Sequence, residues 1–465
     1  MHINVDLHSH SSYAGGVGSL SLDDMLKVGP LKGIELIGTG DIQYKPWRNI
    51  LEEKIEEYED SGIFTIKNQL NDFQSKNTVK FLLQTEVIFT SAFSHTKKRK
   101  QSHTIIFFPS WETVSEFYSL VESWGAKMEN MARPFIVCNS PEDVGEKIKA
   151  IKSLDELIEI IPAHIMTPDG IFGSNVQLNW LEDFYGEAAQ DIKIIETGLS
   201  ADPELLWLIP ELDKLTFISN SDAHSAALNR TGREFTTIDI SKPSYEEVIY
   251  SLRHGKVIRT AEFTPTEGRY FLTGHRPGKN LKMKKENSSR KHWHEKEEYC
   301  KFSPKNVPKD NRCPICNKKL TIGALQRAFE VGRAQGKQRQ LEEYPKNRNF
   351  IRMVPLIEVI AKNMGVKSVT SKKVNQIYNN IISLNEIQNE AEMWFIPEKK
   401  LQSILQNIVD DSLIQSLINI KQDNFYFEPG YDGTYGELVL GQKIDYLNIS
   451  EVVKKDKNSV LKFLN

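Results

Sequence analysis

A chain of 465 residues, 39% hydrophobic and 26% charged, has the balance of a globular protein of two to three domains with ample core. No apolar run reaches eighteen residues and the N-terminus lacks the charged and apolar regions of a secretory signal, so neither a membrane span nor export is expected. The net charge of −3 hides a basic segment, Arg269 to Lys319, with fifteen Lys/Arg against five Asp/Glu, which suits either a polyanion partner or a solvated insertion.

Seven short apolar runs punctuate the first half: Ile3–Leu7, Glu35–Thr39, Lys80–Thr85, Thr104–Phe108, Leu157–Pro162, Lys193–Thr197 and Thr216–Asn220. Their length, composition and bounding turn residues predict buried strands. Helical patterns fall between several of them, at 21–28, 49–60, 110–124, 141–151 and 179–188. Ser21-Leu-Asp-Asp24 has the form of a helix start with early carboxylates. Strands alternating with helices predict an α/β fold with a parallel sheet or barrel.

A residue with metal or acid–base chemistry follows most of these strands. His8 and His10 follow the first at i, i+2 spacing, which on a strand turns both imidazoles to one side. Asp41 follows the second, Glu86 the third, His164 the fifth, Glu196 the sixth, and Asp222 and His224 the seventh. His103 precedes the fourth strand, and reaches the same end if the third and fourth run antiparallel. Each residue alone is ordinary: a strand-end histidine is often bound to a carbonyl, and an Asp or Glu is often a helix cap. Together they gather five of the eleven histidines with three carboxylates at the strand ends where barrel enzymes carry their sites. Mixed His and carboxylate donors suit Zn²⁺, Mn²⁺ or Fe²⁺, with two or three ions bridged by a carboxylate.

His8-x-His10, Glu86, His103, His164 and Asp222-Ala-His224 resemble the motifs of the polymerase and histidinol phosphatase (PHP) superfamily. That resemblance covers about half the chain. It implies a distorted seven-stranded β/α barrel with a trinuclear metal centre that cleaves phosphate esters. Two departures stand out. The position after Asp41 is Ile42 where the superfamily has histidine, and Ser-Ser-Tyr-Ala-Gly-Gly follows His10 where it has a His or Asp, so one metal position is left to Asp41 or to substrate. Thr39-Gly-Asp41, Ile171-Phe-Gly-Ser174, Glu196 to Asp202, Ser219 to Ser225 and Gly232-Arg-Glu234 are similar to the endonuclease Q family. So are Thr273-Gly-His-Arg276, Cys313-Pro-Ile-Cys316, Leu320 to Gly323 and Pro429-Gly-Tyr-Asp-Gly433. This second resemblance implies a DNA repair nuclease that cuts 5′ of deaminated bases (uracil, hypoxanthine, xanthine) and of abasic sites. The strand-end set itself makes His8, His10, Asp41, Glu86, His103, His164, Asp222 and His224 the expected ligands of two or three divalent ions (Zn²⁺, Mn²⁺, Mg²⁺ or Fe²⁺). Asp222 would bridge ions or hold the nucleophile, and Glu196 would support it.

Four cysteines, three of them between 300 and 316, are too few and too clustered for a disulfide framework. They fit a reducing, cytoplasmic setting and a structural zinc. The C-x₂-C pair Cys313 and Cys316 joins Cys300, and His294 is the favoured fourth ligand, with His275 as alternative. Lys284 and Lys285 beside this site, and the cluster Lys97 to Lys100, are candidates to track phosphates. In the loop after His164, Phe172 is expected to stack on an extruded base and Ser174 to hydrogen-bond it.

The expected organisation is a barrel at 1–265, a basic zinc-binding module at 266–323 and a mostly helical domain at 324–465 with a short β/turn segment near 424–440. Damaged DNA is the expected partner, with replication or repair proteins open, no membrane, and action at the nucleoid. A phosphoesterase of a small metabolite and a non-catalytic DNA-binding scaffold are the alternatives.

Overall fold

The computed structural model describes residues 1–14, 19–68, 78–93, 96–129, 133–279, 294–345, 349–439 and 443–454. The seven expected strands are present, and they form the ring. β1 (His2–Asp6) runs parallel to β2 (Leu36–Gly38), and two edge strands, β3 (Ile55–Glu57) and β4 (Phe64–Ile66), precede β5 (Lys80–Phe93). β5 pairs parallel with β2 and antiparallel with β6 (Thr96–Phe108), while β7 (Phe135–Cys138) lies along the outer part of β5. β8 (Glu159–Pro162) pairs antiparallel with β6, and β9 (Ile194–Glu196) pairs parallel with β10 (Thr216–Ile218). A parallel bridge between Ser9 and Ala223 returns β10 to β1, backed by the Leu7 N–H donating to Asn220 Oδ1 at 2.7 Å. β8 packs beside β9 without a strand ladder, so the ring is β1-β2-β5-β6-β8-β9-β10, a distorted seven-stranded barrel.

Period-2 side-chain alternation explains how the barrel fills. Val5, Leu7, Leu36, Leu82, Ile105, Phe107, Ile161, Ile194 and Ile218 form one buried apolar plug. Intervening residues such as Leu83, Ile106 and Ile195 face the helical layer instead. Ser21 caps the first helix (Leu22–Lys32) through a capping box with Asp24, as its sequence predicts. The pattern at 49–60 is different: a helix over Lys45–Lys54 gives way to β3, because Ile55 to Glu57 pairs with Phe64 to Ile66. The pattern at 179–188 becomes a helix of four residues, Glu182–Tyr185, broken at Gly186 with φ +52° and continued as a 3₁₀ turn.

Outside the ring, β11 (Phe235–Asp239) and β12 (Val257–Phe263) extend the sheet antiparallel from β1. β13 (Thr273–His275) and β14 (Tyr299–Phe302) form a hairpin-like pair, and Ser450–Val453 from the chain's last described stretch joins β14. β15 (Phe350–Met353) adds to β12 in parallel, so the C-terminal third enters the barrel's own sheet. Its helices, Leu356–Asn363, Lys372–Ile382, Glu390–Phe395, Glu398–Leu405 and Asp411–Lys421, share a single apolar core with the outer barrel helices. The short pair Tyr426–Glu428 and Glu437–Val439 brackets the turn near Gly430.

Candidate metal centre and cleft

The barrel places the expected residues at one end through the same alternation. Glu86 shares the inward face of β5 with Leu82 and Gln84, and His103 shares that of β6 with Ile105. Because Glu86 is registered opposite Ile105, His103 sits diagonally across from it, and its Nδ1 lies 2.6 Å from Glu86 Oε1. The antiparallel β5–β6 pairing thus brings His103 to the common end. His164 Nε2 approaches the same oxygen at 3.3 Å, and Arg133 Nη1 lies 3.4 Å from Oε2. Glu86, His103 and His164 form one group with metal-ligand spacing.

His8, His10 and Asp222 form the second. Asp222 Oδ1 stands 3.1 Å from His10 Nε2, 3.7 Å from His8 Nε2 and 3.5 Å from His224 Nε2. These atoms test the site's fit to a cation. His8 Nε2, His10 Nε2 and Asp222 Oδ1 are all buried and make no hydrogen bond. Buried polar atoms are ordinarily paired, and three convergent lone-pair donors of this kind fit a divalent ion. The other edges of the rings are committed: His8 Nδ1 lies 3.0 Å from Glu196 Oε1, and His10 Nδ1 lies 3.2 Å from Asp41 Oδ1. Such backing fixes ring orientation and leaves Nε2 free to ligate.

Two expected ligands, Asp41 and His224, fall in neither group. Asp41 lies behind His10 rather than in either group, because its second oxygen accepts from the Ser11 N–H and hydroxyl, both at 2.6 Å. Glu196, expected as support, stands behind the centre: it accepts from Asn220 Nδ2 at 2.9 Å and from the His164 N–H at 2.8 Å. His224 belongs to neither group, but its ring stacks on His10 with centroids 4.2 Å apart.

The electrostatics follow from burial opposed by neighbours. Burial pushes the Glu86 carboxyl up, but the charge of His103 and the close imidazoles of His10 and His164 hold it well below the usual range. Asp222 is held well below its usual value in the same way, by His10, His224 and His8 against its burial. Burial opposes charge on His164, and Glu86 with Asp222 overcomes it, raising the imidazole to about 9. Asp41, His164 and Asp222 all adopt positive φ, of +46°, +30° and +46°. Strain concentrated at one site is a mark of function. Gly198 after Glu196 keeps this packing open, since a Cβ there would fall 2.3 Å from His164 Cβ.

A cleft of about 710 Å³ opens over the centre. His103, Arg133, His164 and Asp222 line one wall; Arg269, Arg276, Lys279 and the turn at Asp432 and Gly433 line the other. The loop after His164 contributes Thr167, Asp169, Ser174 and Asn175. Ser174 therefore faces the cleft as expected, but Phe172 does not. It is fully buried in the main core, because its N–H bonds back to Ile165 and its carbonyl accepts from Arg327, which folds the loop inward. Lys284 and Lys285 lie outside the described residues, as does the side chain of Lys97. Arg133, Arg269, Arg276 and Lys279 are absent from the sequence-level set. A lone arginine in a polar loop carries no signal, although the Thr273-Gly-His-Arg276 motif marks part of the far wall.

The second cluster lies in the module beyond this wall. His275, His294, Cys313 and Cys316 present donor atoms within 4.8 Å of one another. This corrects the expected quartet: both histidines take part, and Cys300, whose thiol lies 3.5 Å from that of Cys313, stands at its edge. The reason is register. His275 on β13 faces Cys300 on β14, so both project toward the Cys313–Cys316 knuckle from one face of the hairpin. The module's own core is only Cys300, Phe302, Cys313 and Leu320. A core that small needs a further fastening, and a His₂Cys₂ group supplies the ligands of a structural zinc.

The barrel's strand ends thus carry two His/carboxylate groups with metal-ligand spacing, the arrangement of a metal-dependent enzyme. Two solved structures match almost all of this chain. One is the lesion-specific endonuclease Q of Pyrococcus furiosus, with TM-score 0.71, 25% identity, and 96% of this chain and 98% of that chain covered. The other is an endonuclease Q in complex with duplex DNA carrying an abasic lesion at the active site, with TM-score 0.72, 25% identity, and coverage of 96% and 100%. The chain is therefore similar in fold to endonuclease Q over nearly its whole length. No protein-family model matches it. Two uncharacterized relatives are similar: one from Methanocaldococcus jannaschii, 28% identical over 54% of this chain, and one from Bacillus subtilis, 26% identical over 58% of this chain. The match covers 29% of the length of the first and 68% of the second. Among the described residues no helix is long and apolar enough to cross a membrane.

Proposed function

We propose that this chain is a metal-dependent DNA repair endonuclease that hydrolyses the phosphodiester 5′ of a damaged nucleotide, with deaminated bases and abasic sites as its targets. The observation that carries the reading is the cleft itself: a His/carboxylate centre on one wall faces three cations, Arg269, Arg276 and Lys279, on the other. That arrangement suits a polyanionic chain laid across the centre. The endonuclease Q solved with an abasic duplex has the same fold over nearly its whole length.

His8, His10 and Asp222 would hold one divalent ion, and Glu86, His103 and His164 a second; the donors suit Zn²⁺, Mn²⁺ or Fe²⁺, with Mg²⁺ the remaining candidate. Ions held there lower the pKa of a bound water and offset charge on the leaving oxygen. Asp222 faces both His8 and His10 with one oxygen, would help hold the ion there and is placed to orient the attacking water. Arg133, beside Glu86 and open to the cleft, is placed to meet a non-bridging phosphate oxygen. The loop 167–175 walls the space into which a lesion would turn, and Ser174 offers a hydroxyl there.

The direct test is competition. Hydrolysis of a small aryl phosphodiester should be inhibited by an abasic duplex, and inhibition should weaken steeply as salt rises. Hydrolysis indifferent to duplex at low salt would transfer the reading to a small phosphorylated metabolite.

A further inference from the structure

The turn Pro429-Gly-Tyr-Asp-Gly433 has no part in the chemistry above, yet it is knitted into the far wall of the cleft. Asp432 is nearly buried and accepts from the Arg276 N–H at 2.8 Å, the Thr321 hydroxyl at 2.6 Å, and the Lys279 ammonium. Arg269 and Gly433 exchange two bonds: Arg269 Nε donates to the Gly433 carbonyl at 3.0 Å, and the Gly433 N–H donates to the Arg269 carbonyl at 2.9 Å. Two residues on, Tyr435 is 42% exposed. The Arg269 guanidinium lies 5.3 Å from its ring centroid, and that of Arg230 lies 5.6 Å from it.

Arg230 comes from the loop between β10 and β11, and Arg269 from the segment after β12. One exposed aromatic ring therefore gathers two cations from separate parts of the chain. Lys279 is neutralised by Asp432, but Arg230, Arg269 and Arg276 form no ion pair with a carboxylate among the described residues. Glu267 lies close enough to feel the Arg230 charge but forms no ion pair with it, so like charges gathered on an exposed ring without a paired carboxylate suit an external anion. Arg269 and Arg276 also line the cleft, so the patch is continuous with it.

We propose that Arg230, Arg269 and Arg276, fixed by Tyr435 and Asp432, form a shelf that grips the sugar-phosphate backbone of the duplex arm beside the cleft. This rests on the DNA reading above. A shelf of this kind contacts phosphate and carries no lesion or sequence information. Its signature is therefore ionic: each guanidinium releases about one counterion when it binds.

The experiment measures affinity of full-length Asp222→Asn protein, which keeps the duplex intact, for an abasic and an undamaged duplex across a salt series. Adding Arg230→Gln and Arg269→Gln together should weaken both duplexes by a similar factor, about tenfold at 0.1 M salt, and reduce the log–log salt slope by about 2. Tyr435→Leu should weaken both duplexes less and in the same sense. Lys242→Gln, at the opposite end of the barrel, is the control. An unchanged slope in the double variant, with parent binding intact, would overturn the shelf alone. Failure of the parent to bind either duplex would overturn the shelf together with the DNA reading.

Discussion

The two histidine clusters of this protein use the same side chain for opposite ends, and their second partners show how. In the barrel, the far nitrogens of His8 and His10 rest on carboxylates, Glu196 and Asp41. In the module, those of His275 and His294 rest on backbone carbonyls, Lys319 at 2.8 Å and Glu298 at 2.9 Å. A carboxylate behind an imidazole raises its basicity and adds charge to the centre, whereas a carbonyl only fixes the ring. The mouths differ too. The barrel centre opens into the cleft through Asp222, His103 and His164, while the module's group has Cys313, His275 and His294 buried. An open His/carboxylate centre can admit water and substrate; a closed His/Cys group holds chain segments together. The difference teaches that ligand type, backing and access together separate a reactive site from a fastening.

Substitutions can sharpen or break that contrast. The largest effect belongs to Asp222→Asn, which should reduce phosphodiester hydrolysis by about three orders of magnitude while leaving the melting temperature near that of the parent. A rate within tenfold of the parent would remove Asp222 from the chemistry. Cys313→Ser should do the converse. It should release one zinc per chain by metal analysis and lower the melting midpoint by on the order of 5 °C, while hydrolysis of a small aryl ester persists. Glu196→Gln keeps shape but removes the charge behind His8, and should cost about 10- to 100-fold in activity or metal affinity.

The smallest effect concerns pH. Lys100, buried near Arg327 in the wall behind the cleft loop, donates to the Asn175 carbonyl, and burial followed by the Arg327 charge pulls its pKa from 10.5 down to about 7. The folded chain therefore gives up a proton that the unfolded chain keeps between those two values. The group opposes folding fully below pH 7, and its cost fades as pH rises toward 10.5. Lys100→Met should accordingly raise the melting temperature most at about pH 6, with the gain shrinking by about pH 9.5. A gain that grows with pH would contradict the assignment.

Much of the barrel was legible because its strands are short, apolar and bounded by turns, and because chemistry-bearing residues sit at their ends. Glu86 and His103 are found where strand parity puts them, and His164 and Asp222 in the turns that follow their strands. What escaped was set by long-range packing. The outer halves of β5 and β6 carry Thr90, Ser91 and Lys100, whose polarity hides a strand until the partner is known. Phe172 lies in a loop that reads as exposed, and only its N–H bond to the Ile165 carbonyl and the bond its own carbonyl accepts from Arg327 turn it into the core. The far wall of the cleft draws on Arg269, Lys279 and Asp432, which lie up to 163 positions apart. No local pattern joins them.

The most direct measurement is incision of a labelled duplex holding one abasic site, deoxyuridine or hypoxanthine, beside an undamaged control, with Mg²⁺ and Mn²⁺ supplied separately. The account predicts a single cut immediately 5′ of the lesion, absent from the control and lost in Asp222→Asn. No cut with either metal, alongside hydrolysis of a small phosphomonoester, would contradict it.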